Sequence, residues 1–198
     1  GLHMLGALGV YVLVECIVYL MVTALMLVVA RTWGREPFTR FAAAIAPAQV
    51  VAASTQSSLA SLPAMIESAD RRLGYPTAIT SLVLPMAVSL FRLTSPVQYI
   101  VSASFIAWAF GIDLGVGQLA AGAALAVVIS LGSVGLPGQV TFIATNVPVA
   151  QAMGLPVGPL GIMLAVDTLP DTLATLGNVT ADLAATSVVA AQSARDKA

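Results

Sequence analysis

The sequence predicts an all-α integral membrane protein: an inverted repeat of two re-entrant helical hairpins and two long, partly broken transmembrane helices, behind one leading transmembrane helix. Three observations predict it. First, the 198 residues are 59% hydrophobic and 9% charged, with a mean hydropathy of +0.96, whereas a soluble domain carries about 25% charged residues. A surface this poor in charge needs lipid as its solvent. Second, two apolar stretches are interrupted at their centres by small polar residues. Third, the last apolar stretch carries carboxylates at helical spacing.

The bulk numbers also exclude some classes. A net charge of −1 provides no basic patch, so nucleic acid is not an expected partner. Cys16 is the single cysteine, so neither a disulfide framework nor a cysteine metal site is expected. Gly1-Leu2-His3-Met4 reads as a cloning scar or ragged start. It carries no basic n-region or small-residue cleavage signature, and no signal peptide is expected.

The leading segment covers residues 1–40. Its apolar run, residues 5–30, is broken only by Glu15 and exceeds the roughly 20 residues a helix needs to cross a bilayer. Glu15 lies near mid-span, where contact with a polar bundle is its expected role. Arg31, Arg35, Glu36 and Arg40 form the loop that follows.

Residues 41–70 read as the first hairpin. Two apolar arms flank Ser54-Thr55-Gln56-Ser57-Ser58, and each is too short to span alone. The alternative is one ordinary span with buried serines. Residues 77–110 form a long helix interrupted by Phe91-Arg92-Leu93-Thr94-Ser95-Pro96. A proline removes an amide donor and clashes with the preceding turn, which marks a break. Residues 116–153 repeat the hairpin design around Ser130-Leu131-Gly132-Ser133-Val134-Gly135-Leu136-Pro137-Gly138. Residues 159–191 form the last span. The two hairpin tips resemble one another, and each hairpin precedes a long span bearing buried charge. That is the internal symmetry of many secondary transporters.

Loop charges test the topology. Seven of the eight basic residues lie outside the spans: Arg31, Arg35, Arg40, Arg71, Arg72, Arg195 and Lys197. If both hairpins re-enter, all seven face one compartment, as the positive-inside rule requires of the cytoplasm. The C-terminus is then cytoplasmic, in a multi-pass protein of the inner (plasma) membrane.

Chemistry concentrates in the last span. Asp167, Asp171, Thr175, Asn178 and Asp182 fall within roughly 80° of one another on a helix, along a stripe about 22 Å long. Carboxylates facing lipid cost several kcal/mol together, so the stripe faces protein, water, ions or substrate. Paired or protonated carboxyls in a packed bundle are the structural alternative. The second arm of each hairpin begins in mid-membrane with free amides and a positive dipole end. Ser57, Ser58 and the backbone from Gly135 through Leu136 to Gly138 therefore suit a substrate carboxylate; close helix packing by small residues is the competing reading. Arg92 is the only basic residue within a span and needs a counter-charge.

These stretches resemble the dicarboxylate/amino acid:cation symporter family, which includes the glutamate transporters. The resemblance runs from about residue 8 to 191 and rests on residues 54–63, residues 131–138 and the run from Asp171 to Asn178-Val179-Thr180-Ala181-Asp182. It implies a transport core over residues 41–198, corresponding to the C-terminal half of a member. In the family an N-terminal scaffold half forms the trimer contacts. By resemblance, Asp171 holds a substrate amino group, Asn178 meets a main-chain carboxylate, and Thr175 lies beside them. Ser57 and Ser58 line the first tip, and the second hairpin is a gate. Asp182 and Asn178 would hold sodium, with Asp167 a further ion-coupling candidate and no other cofactor implied.

Two departures limit the carry-over. Acidic-substrate members carry an Arg where this chain has Ala174, so a side-chain carboxylate loses its bidentate partner. The Asn-Met-Asp-Gly-Thr signature is replaced by Phe91-Arg92-Leu93-Thr94-Ser95, and Phe91 and Leu93 cannot bind sodium. Arg92 is then either a tethered cation offsetting Asp182 or Asp171, or a direct ligand for an anionic substrate. The expected function is a symporter core for a neutral amino acid or small carboxylate, coupled to protons or to fewer sodium ions than is usual in the family. A non-transporting membrane sensor or assembly protein is the alternative. An enzyme is not expected: an intramembrane aspartyl protease needs a second Asp on a facing helix, and none is evident.

Overall fold

The computed structural model describes residues 2–133 and 135–196. The side chain of His3, the Val134 position of the second tip and the Lys197 charge lie outside the described residues. Those residues form helices and no strand: α1 Leu2–Thr32, α2 Phe38–Thr55, α3 Ser58–Glu67, α4 Thr77–Leu90, α5 Thr94–Phe110, α6 Val116–Gly132, α7 Gly138–Ala152, α8 Leu160–Val166 and α9 Thr168–Arg195. Three stretches are long and apolar enough to cross a membrane: Met4–Thr32, Thr77–Phe110 and Thr168–Arg195.

Local chemistry sets the breaks. Pro37 precedes α2, where its missing amide donor costs nothing. The helix ends at Gln56, which turns into the left-handed region at φ 51, and Ser57 then restarts the chain as the N-cap of α3 by accepting from the Ala60 amide at 3.2 Å. A π-helical turn, Ser68–Leu73, closes this hairpin and ends on Gly74 at φ 77, a conformation that favours glycine. The last span is not one helix. It divides at Asp167 into α8 and α9, which puts Pro170 in the first turn of α9, where amides have no intrahelical partner anyway.

α1 and α9 lie side by side and run in the same direction. Gly177 packs against Thr23 and the Tyr19 carbonyl, and Gly34 packs against Ser187 further along both helices. The two hairpins approach this pair from opposite ends. Hairpin α2–α3 joins α4, Ala30 and the Val179–Leu183–Ala184 stretch of α9 in one apolar cluster. Hairpin α6–α7 joins α5, α8 and Tyr11 in a second cluster. Each hairpin is tied at its base by one side chain. The Arg40 guanidinium donates to the Leu73 carbonyl at 2.8 Å, and the Gln118 amide donates to the Met153 carbonyl at 2.8 Å.

In lipid the hydrophobic effect does not drive helices together; close contact and interhelical hydrogen bonds do. The packing faces reflect this. Ala44, Ala48 and Ala52 lie one turn apart on α2 and are buried with Ala184 of α9. By contrast, Leu13, Met21, Leu25 and Val28 on α1, with Val127 and Val128 on α6, stay exposed, as a lipid-facing or partner-facing surface requires.

Candidate functional site

Between the two apolar clusters lies a polar layer. All five residues of the α9 stripe face it: Asp167, Asp171, Thr175, Asn178 and Asp182 are each at most 4% exposed. Three separate elements converge on this stripe.

The first is the α2–α3 tip. Ser57 and Ser58 are buried. The Ser57 hydroxyl donates to the Gly135 carbonyl at 2.7 Å, and the Leu59 amide donates to the same oxygen at 3.1 Å. The two hairpin tips therefore touch each other directly. A Cβ at Gly135 would lie 3.1 Å from the Leu59 nitrogen and 3.3 Å from Ser58 Cβ, so a larger residue would press the two tips apart by a few tenths of an ångström.

The second is the N-terminus of α7. The Gly138 amide donates to Asp171 Oδ2 at 3.0 Å. A Cβ on Gly138 would sit 2.3 Å from Asp171 Oδ1. The helix end that the sequence suits to a substrate carboxylate is thus covered by the protein's own Asp171. Leu136, in the same tip, is 41% exposed.

The third is the break between α4 and α5. The Thr94 amide donates to Asn178 Oδ1 at 3.0 Å, and the Thr94 hydroxyl donates to the Ala174 carbonyl at 3.2 Å. These bonds pin the break to the middle of α9. Arg92, two residues earlier, is half-buried. Thr175 turns back on its own helix, donating to the Asp171 carbonyl at 2.8 Å. Neither carboxylate oxygen of Asp182 has a hydrogen-bond partner among the described residues.

Sequence reasoning missed the residues that fasten the tips. The Gln56 amide donates to the Thr168 carbonyl at 2.8 Å and to the Thr172 hydroxyl at 2.9 Å. The Gln139 amide donates to the Thr168 hydroxyl at 2.8 Å. Both glutamines are long donors at the ends of apolar arms, which was the available signal. It also missed the surroundings of Asp167, whose two oxygens lie 3.4 Å from the Gln98 amide. Glu15 makes the polar-bundle contacts expected of it. It accepts from the Tyr19 hydroxyl at 2.9 Å and the Ser102 hydroxyl at 3.2 Å.

Two helical hairpins meeting tip to tip on a buried acidic helix define an all-α membrane protein with a polar centre. Comparison with known proteins gives the family. The model of the sodium:dicarboxylate symporter family matches residues 1–192, and the chain belongs to that family. Excitatory amino acid transporter 3 of Mus musculus is 34% identical over 155 residues, 78% of this chain and 29% of the relative. Excitatory amino acid transporter 4 of Rattus norvegicus is 31% identical over 194 residues, 96% of this chain and 34% of the relative. An excitatory amino acid transporter of Caenorhabditis elegans is 30% identical over 158 residues, 80% of this chain and 31% of the relative. The chain thus spans about a third of the length of these curated relatives.

Proposed function

We infer that this chain is the substrate-binding transport core of a secondary active symporter for a small organic solute, a neutral amino acid or small carboxylate. The observation that carries this reading is the Gly138–Asp171 contact at 3.0 Å, made where the second tip already rests on the first through Ser57. A substrate ammonium would take Asp171, and its carboxylate would take the α7 amides that Asp171 leaves. The solute thus replaces one internal contact with two of its own, and the tip opens and closes around it. Ser57, Ser58, Leu136, Gly138, Asp171, Thr175 and Asn178 line this position. Family membership supports the symporter class. Ala174, in place of a guanidinium, disfavours an acidic side chain on the substrate.

In this reading the hairpins are re-entrant, because their bases lie at opposite ends of the α1–α9 pair and their tips meet between. The end bearing Arg31, Arg35, Arg40 and Arg195 is cytoplasmic in the plasma membrane, together with the C-terminus. The core moves as an elevator against an N-terminal scaffold half, in a homotrimer. Coupling is to protons or to fewer sodium ions than in the relatives, with Asp167, Arg92, Asn178 and Asp182 as the coupling or counter-charge residues.

The test is uptake of radiolabelled neutral amino acids by the full-length transporter in proteoliposomes, beside equilibrium binding in detergent. Concentrative uptake lost in Asp171→Asn supports the reading. Binding without uptake in the wild type moves the protein to a sensor or assembly role.

A further inference from the structure

Both hairpin tips fasten to one residue of α9. Thr168, the first residue of that helix, accepts from each of them. Its backbone carbonyl takes the Gln56 amide of the first tip at 2.8 Å, and its hydroxyl takes the Gln139 amide of the second tip at 2.8 Å. The two holds differ in kind. Gln56 also donates to the Thr172 hydroxyl at 2.9 Å, so both N–H bonds of its amide are spent on α9. Its acceptor at position 168 is a backbone oxygen, which no side-chain change there removes. The Gln139 hold ends on a side-chain hydroxyl, and a single substitution abolishes it.

Depth gives the second hold its meaning. Thr168 and Gln139 are exposed, whereas Asp171, one turn along α9, and Gly138, next to Gln139, are buried. The Gln139–Thr168 bond therefore lies at the rim, and the Gly138–Asp171 bond of 3.0 Å lies beneath it. Gly138 and Gln139 are adjacent, so lifting the start of α7 breaks both bonds together. It also withdraws the Gly135 carbonyl from the Ser57 hydroxyl and the Leu59 amide of the first tip.

We propose that Thr168 is a positioning residue for the second tip: its hydroxyl holds Gln139 and so keeps the Gly138 amide on Asp171, while the first tip stays fastened to the Thr168 carbonyl. The second tip is then the one that opens, and position 168 sets how often it does. The inference deepens the transporter reading and rests on it only where a solute is concerned: in that reading a small molecule reaches Asp171 once this bond has parted. The hold of Thr168 on the tip is read without any solute.

The test is hydrogen exchange of the intact transporter in lipid nanodiscs, read by mass spectrometry at single amides. An amide exchanges when local opening takes it from its acceptor, so Gly138 reports the second tip and Leu59 reports the contact between tips. The variants are Thr168→Val, which keeps the branched shape and the carbonyl but drops the hydroxyl, Thr168→Ser, Gln139→Met, and Thr168→Val with Gln139→Met. In Thr168→Val, Gly138 and Leu59 exchange about three- to tenfold faster, as expected for one neutral hydrogen bond. The Ala60 amide, whose acceptor is the Ser57 hydroxyl of its own tip, keeps its wild-type rate. Gln139→Met gives the same pattern, and the double variant is no faster than either single, because both remove one bond. Thr168→Ser matches wild type. Unchanged Gly138 exchange in Thr168→Val overturns the proposal. So does acceleration that Thr168→Ser shares, that extends equally to Ala60, or that adds in full in the double variant. If Thr168→Val yields no folded protein, Gln139→Met decides alone: faster Gly138 and Leu59 with unchanged Ala60 supports the proposal, and unchanged Gly138 overturns it. Uptake is read separately: a wild type that takes up no radiolabelled neutral amino acid sinks the transporter reading and leaves the exchange comparison standing.

Discussion

The backbone amide of Gly138 donates to Asp171 Oδ2 at 3.0 Å, closing the second hairpin onto the acidic helix. This contact joins the two parts of the chain that the sequence marks most strongly, a glycine-rich tip and a carboxylate stripe. It also explains why position 138 holds glycine. A Cβ there would lie 2.3 Å from Asp171 Oδ1 and 2.7 Å from its Cγ.

Gly138→Ala is therefore expected to push the tip off Asp171. Overpacking of this kind costs about 1–3 kcal/mol. Substrate binding, measured by equilibrium titration of the full transporter, should weaken by about tenfold or more while helical content by circular dichroism stays unchanged. Binding equal to wild type would show that the tip tolerates displacement.

Ser57→Ala removes two interactions at once: the cap on the Ala60 amide and the donor to the Gly135 carbonyl. Losing a cap costs about 1 kcal/mol, and an unsatisfied buried acceptor adds about 1–3 kcal/mol. The Leu59 amide still reaches Gly135, so the lower part of that range is expected. Melting of the variant in detergent against wild type measures it.

Gly177→Ala tests how tightly the α4–α5 break is held. The new methyl would meet Thr94 Cγ2 at 2.8 Å and Thr23 Oγ1 at 3.3 Å, wedging α9 away from both α1 and the break. About 1–3 kcal/mol of destabilisation is expected. The control is Gly117→Ala, where a Cβ meets nothing within 4 Å and melting should be unchanged or slightly raised.

Tyr75 gives a pH prediction outside the spans. Its hydroxyl donates to Glu36 Oε1 at 3.0 Å. Burial, then the Glu36 charge, push the phenol above its ordinary value. A group whose folded pKa is raised contributes stability that is fully present below its unfolded pKa, about 10 for tyrosine, and is lost as pH rises through the folded value. The melting difference between wild type and Tyr75→Phe should thus be constant from neutral pH up to about 10 and shrink only above it. A difference that collapses by pH 8 would contradict the Glu36 contact.

Much of this protein was legible in the linear chain. Scarcity of charge fixed the solvent as lipid, and apolar runs broken by Ser57-Ser58 and by Gly135-Leu136-Pro137-Gly138 placed both turns. The spacing of Asp167, Asp171, Thr175, Asn178 and Asp182 put one buried face on the last span. These are local properties: each follows from a short stretch of chain and the medium around it. Tertiary structure alone decided that the tips touch through Ser57 and Gly135, that Asp171 covers the amide of Gly138, that Gln56 and Gln139 fasten to Thr168, and that Glu15 accepts from Ser102. It also decided that the last span splits at Asp167. Each of those contacts depends on groups far apart in sequence reaching hydrogen-bond distance, and such pairings are set by how whole helices pack, a quantity that hydropathy and periodicity do not contain.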